Sequence, residues 1–418
     1  MVGYLRCEVG LLSAFPRAAA LLGAAALLAG CRGASARAAA PAAAPTPLPV
    51  AVRTEPAGED ADDPAIWVNR AAPADSRVFA TNKVKAPGGA LVAYDLAGRV
   101  RQRIDGLDRP NNVDVEYGFR LGGVSIDIAV LTERYQRRLR AFRVGPDGAL
   151  TDVSSLQGLR VFEGEPGGRG APMGVALYRR PADGVVFAFV SRKESPPRGT
   201  VWQYRLEDDG RGRVRAVKAR ELGTVEPGSE VEAIAVDDPL GSVYYAEEPR
   251  AFHEWAADPD DPRAGVELAR FGQAGFRGDR EGIAVYATPD GGGFLLTADQ
   301  VPGGSRYFVF RRGSGGAAPR DHALVKMLAG GADDTDGLDA TSEPLGPAFP
   351  NGLVVAMNSG GRNFFFYRPE DLGLETLAES QNTKAVCHRN VVRTRKNGSP
   401  RMLRTQGLRS APPRPGSD

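Results

Sequence analysis

The sequence predicts an all-β fold, a six-bladed β-propeller, and three observations carry that expectation. Six times a short apolar strand is entered through polar residues, a second strand that ends in polar residues follows, and a third strand with an aromatic completes the unit. The aromatics are Tyr94, Phe142, Tyr204, Trp255, Phe310 and Tyr367. Their mean spacing is about 55 residues, slightly above the period of roughly 40 to 50 typical of propeller blades. Val, Ile, Phe and Tyr alternate with polar residues, Gly, Pro and Asp separate the runs, and helical periodicity is scarce. Radial repetition around a channel limits exposed sheet edges. A β-sandwich or solenoid of this composition explains the common phase of the polar residues less well.

Residues 1–30 carry Arg6 and Arg17 and then an Ala/Leu run from Ala18 to Ala29, which is too short for a comfortable membrane span. The segment reads as an export leader. Leu28-Ala29-Gly30-Cys31 resembles a bacterial lipoprotein cleavage box, with Cys31 as the lipidated first residue of the mature chain. Residues 31–50, rich in Ala and Pro, read as a tether. The expected location is outside the cytoplasm, either as an outer-membrane or cell-surface lipoprotein or as a periplasmic or secreted protein. Membrane contact is expected only through the lipid.

The propeller domain is assigned to residues 51–380, as one domain acting as a monomer. Its strand entrances are Asp62-Asp63-Pro64, Asn111-Asn112, Pro172-Met173-Gly174, Glu230-Val231-Glu232, Asp279-Arg280-Glu281-Gly282 and Asp334-Thr335-Asp336-Gly337. The second strands exit through Thr81-Asn82-Lys83, Thr132-Glu133-Arg134, Ser191-Arg192-Lys193, Ala246-Glu247-Glu248, Ala298-Asp299-Gln300 and Met357-Asn358-Ser359. An antiparallel partner returns to the edge where the first strand began, so entrances and exits share one face. That face therefore carries both carboxylates and cations. Residues 381–418 lack a core pattern and are expected to be a disordered basic tail with weak attraction to anions.

The formal charge of +2 hides an asymmetry. The tail holds nine Lys/Arg against Asp418 and residues 1–50 hold four Arg against Glu8, net +8 and +3, which leaves −9 on residues 51–380. An acidic propeller points to bound cations and away from nucleic acid, whose phosphates it would repel. Only Cys7, Cys31 and Cys387 occur, so no intrachain disulfide is expected. His253, His322 and His388 show no zinc-ligand spacing, and the single Cys387-His388 pair does not make four ligands.

Hard oxygen ligands without matching His or Cys favour Ca²⁺, which takes six to eight oxygens in flexible geometry. Taken singly, each acid is more often an ordinary turn residue. Their shared phase shifts that balance, because a propeller brings Asp62, Asp63, Glu232, Glu248, Asp279 and Glu281 towards one mouth. Lys83, Arg134 and Lys193 stand on the same face, although a solvated rim accounts for each of them alone. Metal ions with Lys and Arg suit a multiply charged phosphate ester, since positioning and charge neutralisation dominate phosphoryl transfer.

These residues resemble the β-propeller phytases, calcium-dependent myo-inositol hexakisphosphate phosphohydrolases, from about Thr54 to Leu372. The motifs that carry the resemblance are Asp60-Ala61-Asp62-Asp63-Pro64-Ala65-Ile66-Trp67, Asn111-Asn112-Val113-Asp114, Tyr245-Ala246-Glu247-Glu248, Asp279-Arg280-Glu281-Gly282 and Asp334-Thr335-Asp336-Gly337-Leu338-Asp339. The resemblance implies a six-bladed fold and a cleft with several calcium ions, where a cleavage site lies beside a second phosphate site. It implies calcium ligation by Asp62, Asp63, the Pro64 carbonyl, Asn112, Asp114, Glu232, Glu248, Asp279, Glu281, Gln300 and Asp336. Phosphate binding would fall to Lys83, Arg134 and Lys193, joined by Lys85, and catalysis to Lys83, Arg134, Lys193, Glu232 and Asp279. Calcium-phytate as substrate, attack by a calcium-activated water and 3-phytase-type phosphomonoester hydrolysis are likewise implied by the resemblance.

Three positions depart from the family pattern. Met173 stands where a phosphate-contacting Tyr is common, Val84 follows Lys83 where a second Lys is common, and the acidic segment before Asp334 is short, which bears on Asp333 and Asp336. Two other functions compete with the phytase expectation. A lactonase-type calcium propeller gives no reason for three rim cations, and a non-catalytic inositol-phosphate-binding propeller draws its support from Met173.

Overall fold

The computed structural model describes residues 46–313 and 320–374. The expected leader, Cys31, most of the tether and the basic tail lie outside the described residues, so only the propeller expectation meets structure here.

Among the described residues, twenty-four strands form six four-stranded antiparallel sheets. A two-residue strand, β1 (Val52–Arg53), comes first. Blade one follows with β2 (Ala61–Trp67), β3 (Arg77–Asn82), β4 (Gly89–Tyr94) and β5 (Val100–Leu107), and blade two with β6 (Pro110–Leu121), β7 (Val124–Glu133), β8 (Arg138–Val144) and β9 (Leu150–Asp152). Blade three is β10 (Pro172–Arg179), β11 (Val186–Arg192), β12 (Arg198–Asp208) and β13 (Val214–Thr224). Blade four is β14 (Ile234–Asp237), β15 (Ser242–Glu247), β16 (Ala251–Ala256) and β17 (Glu267–Phe271). Blade five is β18 (Arg280–Ala287), β19 (Gly293–Asp299), β20 (Arg306–Arg311) and β21 (Leu324–Ala329). Blade six has β22 (Leu338–Thr341), β23 (Leu353–Asn358) and β24 (Asn363–Tyr367), and β1 supplies its fourth strand.

Every expected entrance leads into an innermost strand, every expected exit follows a second strand, and every marker aromatic lies on a third strand. The innermost strands are largely buried because their side chains face neighbouring blades or the channel. Six apolar clusters fill the six gaps between blades. Ile66, Tyr94, Phe364 and Phe366 pack together between blades six and one, and Phe142, Leu131, Trp67 and Phe79 between one and two. Each aromatic carries a large apolar area into such a gap, where burial of a side chain of this size contributes about 1.5–3 kcal/mol.

The sequence gives no sign of how the ring closes. Val52 pairs with Phe366 and Arg53 with Phe365, which joins the start of the domain to its last blade. Leu48 and Val50, at the end of the expected tether, pack against the cluster between blades five and six. Carboxylates also stitch blades directly. Asp339 accepts from the Ile66 amide at 2.7 Å, Asp63 from Val113 at 3.0 Å and Asp114 from Leu177 at 2.7 Å. On the opposite face Arg312 of blade five forks onto Asp237 of blade four, with Nη2 2.6 Å from Oδ1, and both side chains are buried.

Removing one partner of a buried pair leaves an uncompensated charge, so Arg312→Met should cost about 3–5 kcal/mol in urea unfolding. The double change Asp237→Leu/Arg312→Met should recover most of that loss. Equal stability of the single and double variants would show that the pair does not hold blades four and five together.

Candidate active site

One backbone hydrogen bond recurs in all six blades and builds the mouth of the channel. The residue after each second strand donates its amide to a carbonyl at the entrance of the inner strand: Lys83 to Asp60 (2.7 Å), Arg134 to Arg109 (3.1 Å) and Lys193 to Ala171 (2.9 Å) in blades one to three. Glu248 to Glu230 (3.2 Å), Gln300 to Asp279 (3.0 Å) and Ser359 to Asp333 (2.9 Å) complete the set. These six exit residues form an outer ring.

An inner ring follows from strand register. Pro64, Val113, Val175, Ile234, Ile283 and Leu338 occupy the same pairing position. Two residues earlier stand Asp62, Asn111, Met173, Glu232, Glu281 and Asp336, one per blade. In four blades the register shifts at this point, a bulge that re-aims the side chain. The next position holds Gly174, Ala233, Gly282 and Gly337 in blades three to six, which lets inner strands approach closely. A Cβ on Gly174 would lie 1.8 Å from the Glu232 carbonyl oxygen.

The two rings meet around Lys83. Its ammonium is paired with Asp62 and lies 3.5 Å from both Glu232 and Asp336. Arg134 donates to Asn111, whose amide also bonds Asn112 at 2.8 Å and Glu232. Gln300 donates to Asp336, and Lys193 pairs with Glu230 at the more open edge. Carboxylate oxygens of Glu232, Glu248 and Glu281 lie within 4.8 Å of one another. Asp62, Asp63, Asn112, Glu232, Glu281 and Asp336 line the floor.

So much negative charge in a buried site shifts its ionisation. Burial pushes Asp62 well above the carboxylate range, against the pull of Lys83. Glu281 is raised by burial and then by Glu248 and Glu232, and Glu248 is pushed up to about 8 by burial and the neighbouring acids. Glu232 runs the other way: burial raises it, but Lys83 and Arg134 outweigh that and hold it below its ordinary value. Burial disfavours the charge on Lys83, yet Asp62, Glu232 and Asp336 together keep it firmly protonated.

Of the expected ligands, the structure gathers Asp62, Glu232, Glu248, Glu281, Gln300 and Asp336 at the mouth. Asp63, Pro64, Asn112 and Asp114 line a central cavity of about 220 Å³. Asp63 and Asn112 also reach the floor, while Asp114 lies deeper, with both oxygens taken by the Val115 and Leu177 amides. Asp279 is exposed at the edge. Met173 is buried at its inner-ring position, and its carbonyl accepts from Thr132. Lys85 is exposed outside the ring. Sequence reasoning chose Asn112 and passed over Asn111 and Glu230. Counting back from the paired position in each blade identifies Asn111, but that count needs the register.

Among the described residues, Asp62 Oδ2 and Glu248 Oε1 are buried without a hydrogen-bond partner. Unpaired buried carboxylate oxygens beside a three-glutamate cluster suit a bound metal cation, and the all-oxygen donor set suits a hard one. Cations occupy the exit positions of blades one to three, whereas Glu248, Gln300 and Ser359 occupy those of blades four to six. The mouth is thus divided into an anion-attracting half and a cation-attracting half.

Comparison with known proteins follows the same lines. The phytase family model matches residues 17–363. A 3-phytase from Bacillus subtilis (strain 168) is 31% identical over 309 residues, covering 72% of this chain and 75% of that protein. Among solved structures, a putative 6-phosphogluconolactonase from Bacteroides uniformis aligns with TM-score 0.45 and 14% identity over 73% of this chain and 80% of that one. The Cps50 (Swd1) propeller domain of Myceliophteria thermophila gives TM-score 0.39 and 10% identity over 73% and 83%. Likenesses of that size carry no weight about chemistry.

Glu248 ties the cluster to pH. A carboxyl raised from 4.5 to about 8 by folding favours the folded state while protonated. That contribution is complete below pH 4.5 and is lost as pH rises through about 8. In chelator, the melting temperature should therefore fall across this window, and a divalent cation should abolish the fall. A flat profile in chelator would mean that these acids are not held uncompensated.

Proposed function

The chain belongs to the phytase family, and we propose that its divided mouth hydrolyses phytate as a calcium-dependent phosphomonoesterase. Phosphomonoester hydrolysis is the family's chemistry and phytate the substrate that membership implies. The observation that carries the reading is the outer ring, with Lys83, Arg134 and Lys193 on consecutive blades facing a carboxylate half. Six phosphates on one small ring need positive charge from more than one side.

Calcium would be held by Asp62, Glu232, Glu248, Glu281 and Asp336, with the Gln300 amide oxygen completing an all-oxygen set. When bound there, it supplies charge neutralisation for the phosphate and a lowered pKa for a coordinated water. The protein's own groups do the rest. Arg134 is buried, and among the described residues its Nε has no hydrogen-bond partner, so the guanidinium keeps an unmet donor beside the mouth. Asn111 holds that guanidinium and Glu232 in fixed relation. Lys83 stands protonated between three carboxylates, and cations held by those acids would leave its ammonium free to bind phosphate. Glu232 is kept ionised by Lys83 and Arg134, which suits it to binding a cation rather than carrying a proton. The buried Met173 side chain has no hydrogen-bonding group to offer a phosphate, so blade three's part falls to Lys193.

Export, lipid attachment at Cys31 and action as a monomer belong to the same proposal, on the sequence alone. The test of the activity is inorganic phosphate release from phytate with calcium and with chelator, and calcium-dependent release is expected. Lys193→Ala removes one charge-assisted hydrogen bond from an exposed position, so kcat/KM should drop about 10- to 100-fold with melting unchanged. Unchanged turnover in a folded variant would remove Lys193 from the site. No release by folded, calcium-binding protein would favour the non-catalytic binding propeller.

A further inference from the structure

The last residue of each second strand, one before the rim, shows a regularity that blade three breaks. Asn82, Glu133, Arg192, Glu247, Asp299 and Asn358 hold this position, and all are buried. In five blades the side chain is an acceptor that takes an amide of its own blade's entrance. Asn82 accepts from Asp60 at 2.9 Å, Glu133 from Asp108 at 2.9 Å, Glu247 from Glu226 at 2.8 Å, Asp299 from Gly278 at 2.8 Å and Asn358 from Asp333 at 2.9 Å. Blade three reverses the polarity. Arg192 can only donate, so it cannot hold its entrance by a main-chain amide.

That entrance is also the one with least stiffness of its own. It runs from residue 153 to 171, the longest of the six among the described residues. Its last part, Glu163-Gly164-Glu165-Pro166-Gly167-Gly168-Arg169-Gly170, is rich in glycine. Arg192 reaches this loop by charge instead. Its Nη1 lies 3.6 Å from Glu165 Oε2, the one carboxylate within ion-pair reach among the described residues, and its Nη2 donates to the Gly199 carbonyl at 2.8 Å. The guanidinium lies 4.4 Å from the centre of the Phe162 ring and 4.9 Å from that of Trp202. Phe162 is itself held, with its amide on the Tyr204 hydroxyl at 2.8 Å. Arg137 of blade two grips the outside of the loop through the Glu165 and Gly167 carbonyls, at 3.2 and 3.1 Å.

The loop in turn fixes the rim. The Lys193 amide donates to the Ala171 carbonyl at 2.9 Å and the Glu194 amide to the Gly168 carbonyl at 3.3 Å. A displacement of the loop therefore carries Lys193 with it. We propose that Arg192 is a positioning residue for the reaction, whose grip on Glu165 holds the blade-three entrance so that Lys193 stands over the mouth. At 1% exposure Arg192 itself does not meet substrate. The proposal rests on the reading of Lys193 as a phosphate ligand and adds the device that places it.

The experiment is a double-mutant cycle on phytate turnover with wild type, Glu165→Ala, Lys193→Ala and the double variant, because Glu165 is a loop residue whose truncation leaves the interblade packing in place. With Lys193 present, Glu165→Ala should lower kcat/KM about three- to tenfold, and with Lys193→Ala already made it should lower it by less than about twofold. Arg192→Lys, which keeps the charge but not the fork, should fall on the same side of the cycle. Equal losses in both backgrounds, or losses that follow the melting temperature, would make the pair merely structural and overturn the proposal. Should the wild type release no phosphate, or Lys193→Ala change nothing, the reading of Lys193 fails, and hydrogen exchange at the Lys193 and Glu194 amides decides the positioning separately. Faster exchange in Glu165→Ala supports it, and unchanged exchange overturns it.

Discussion

The mouth of this propeller depends on a single repeated bond, the amide of the residue after each second strand given to a carbonyl at the entrance of the inner strand. It fixes where the second strand must stop, and so which side chain stands over the channel. Because the bond is between backbones, it places any residue type equally well. Six blades thus share one geometry while the rim carries Lys, Arg, Lys, Glu, Gln and Ser. Chemistry is free to vary around a ring whose spacing is not.

That separation lets the site hold charges that cost folding energy. Asp62, Glu248 and Glu281 are buried near one another, and burial, which solvates their charges poorly, pushes all three carboxyls up. The rigidity needed to keep them there comes from outside the mouth, in the interblade apolar clusters, the carboxylate-to-amide stitches of Asp63, Asp114 and Asp339, and the Arg312–Asp237 fork. Lys83 is the exception within the mouth, since it offsets three acids at once. Removal of its charge would leave those acids repelling one another, whereas a metal cation among them would free the ammonium for phosphate.

The same economy appears in blade four, away from the mouth. His253 lies buried between Glu247 and Glu267, 3.1 and 3.2 Å from its two ring nitrogens, with Tyr245 stacked 4.7 Å away. His322 sits between Glu254 and the Arg311 carbonyl. Both rings face acceptors on each side, which places them as structural cross-links rather than metal ligands, in keeping with their scattered positions in the chain.

What the sequence determined by itself was the periodic part. Alternation of apolar and polar residues fixed the strands, the common phase fixed one polar face, and the aromatics marked each third strand, because these patterns are local consequences of the strand period. From the phase alone Lys83, Arg134, Lys193, Glu232, Glu248 and Glu281 could be assigned to a single mouth. Tertiary structure decided whatever depends on register or on contacts between blades. The bulges chose Asn111 over Asn112 for the inner ring, since a shift of one residue turns a side chain to the other face. Asp114 was drawn down the channel by the Leu177 amide of the next blade, sixty-three residues away in the chain. Closure by Val52 and Arg53 and the left-handed turn that sets Arg109 against Lys83 leave no local signature either, because the partners that stabilise them are supplied only when the blades pack.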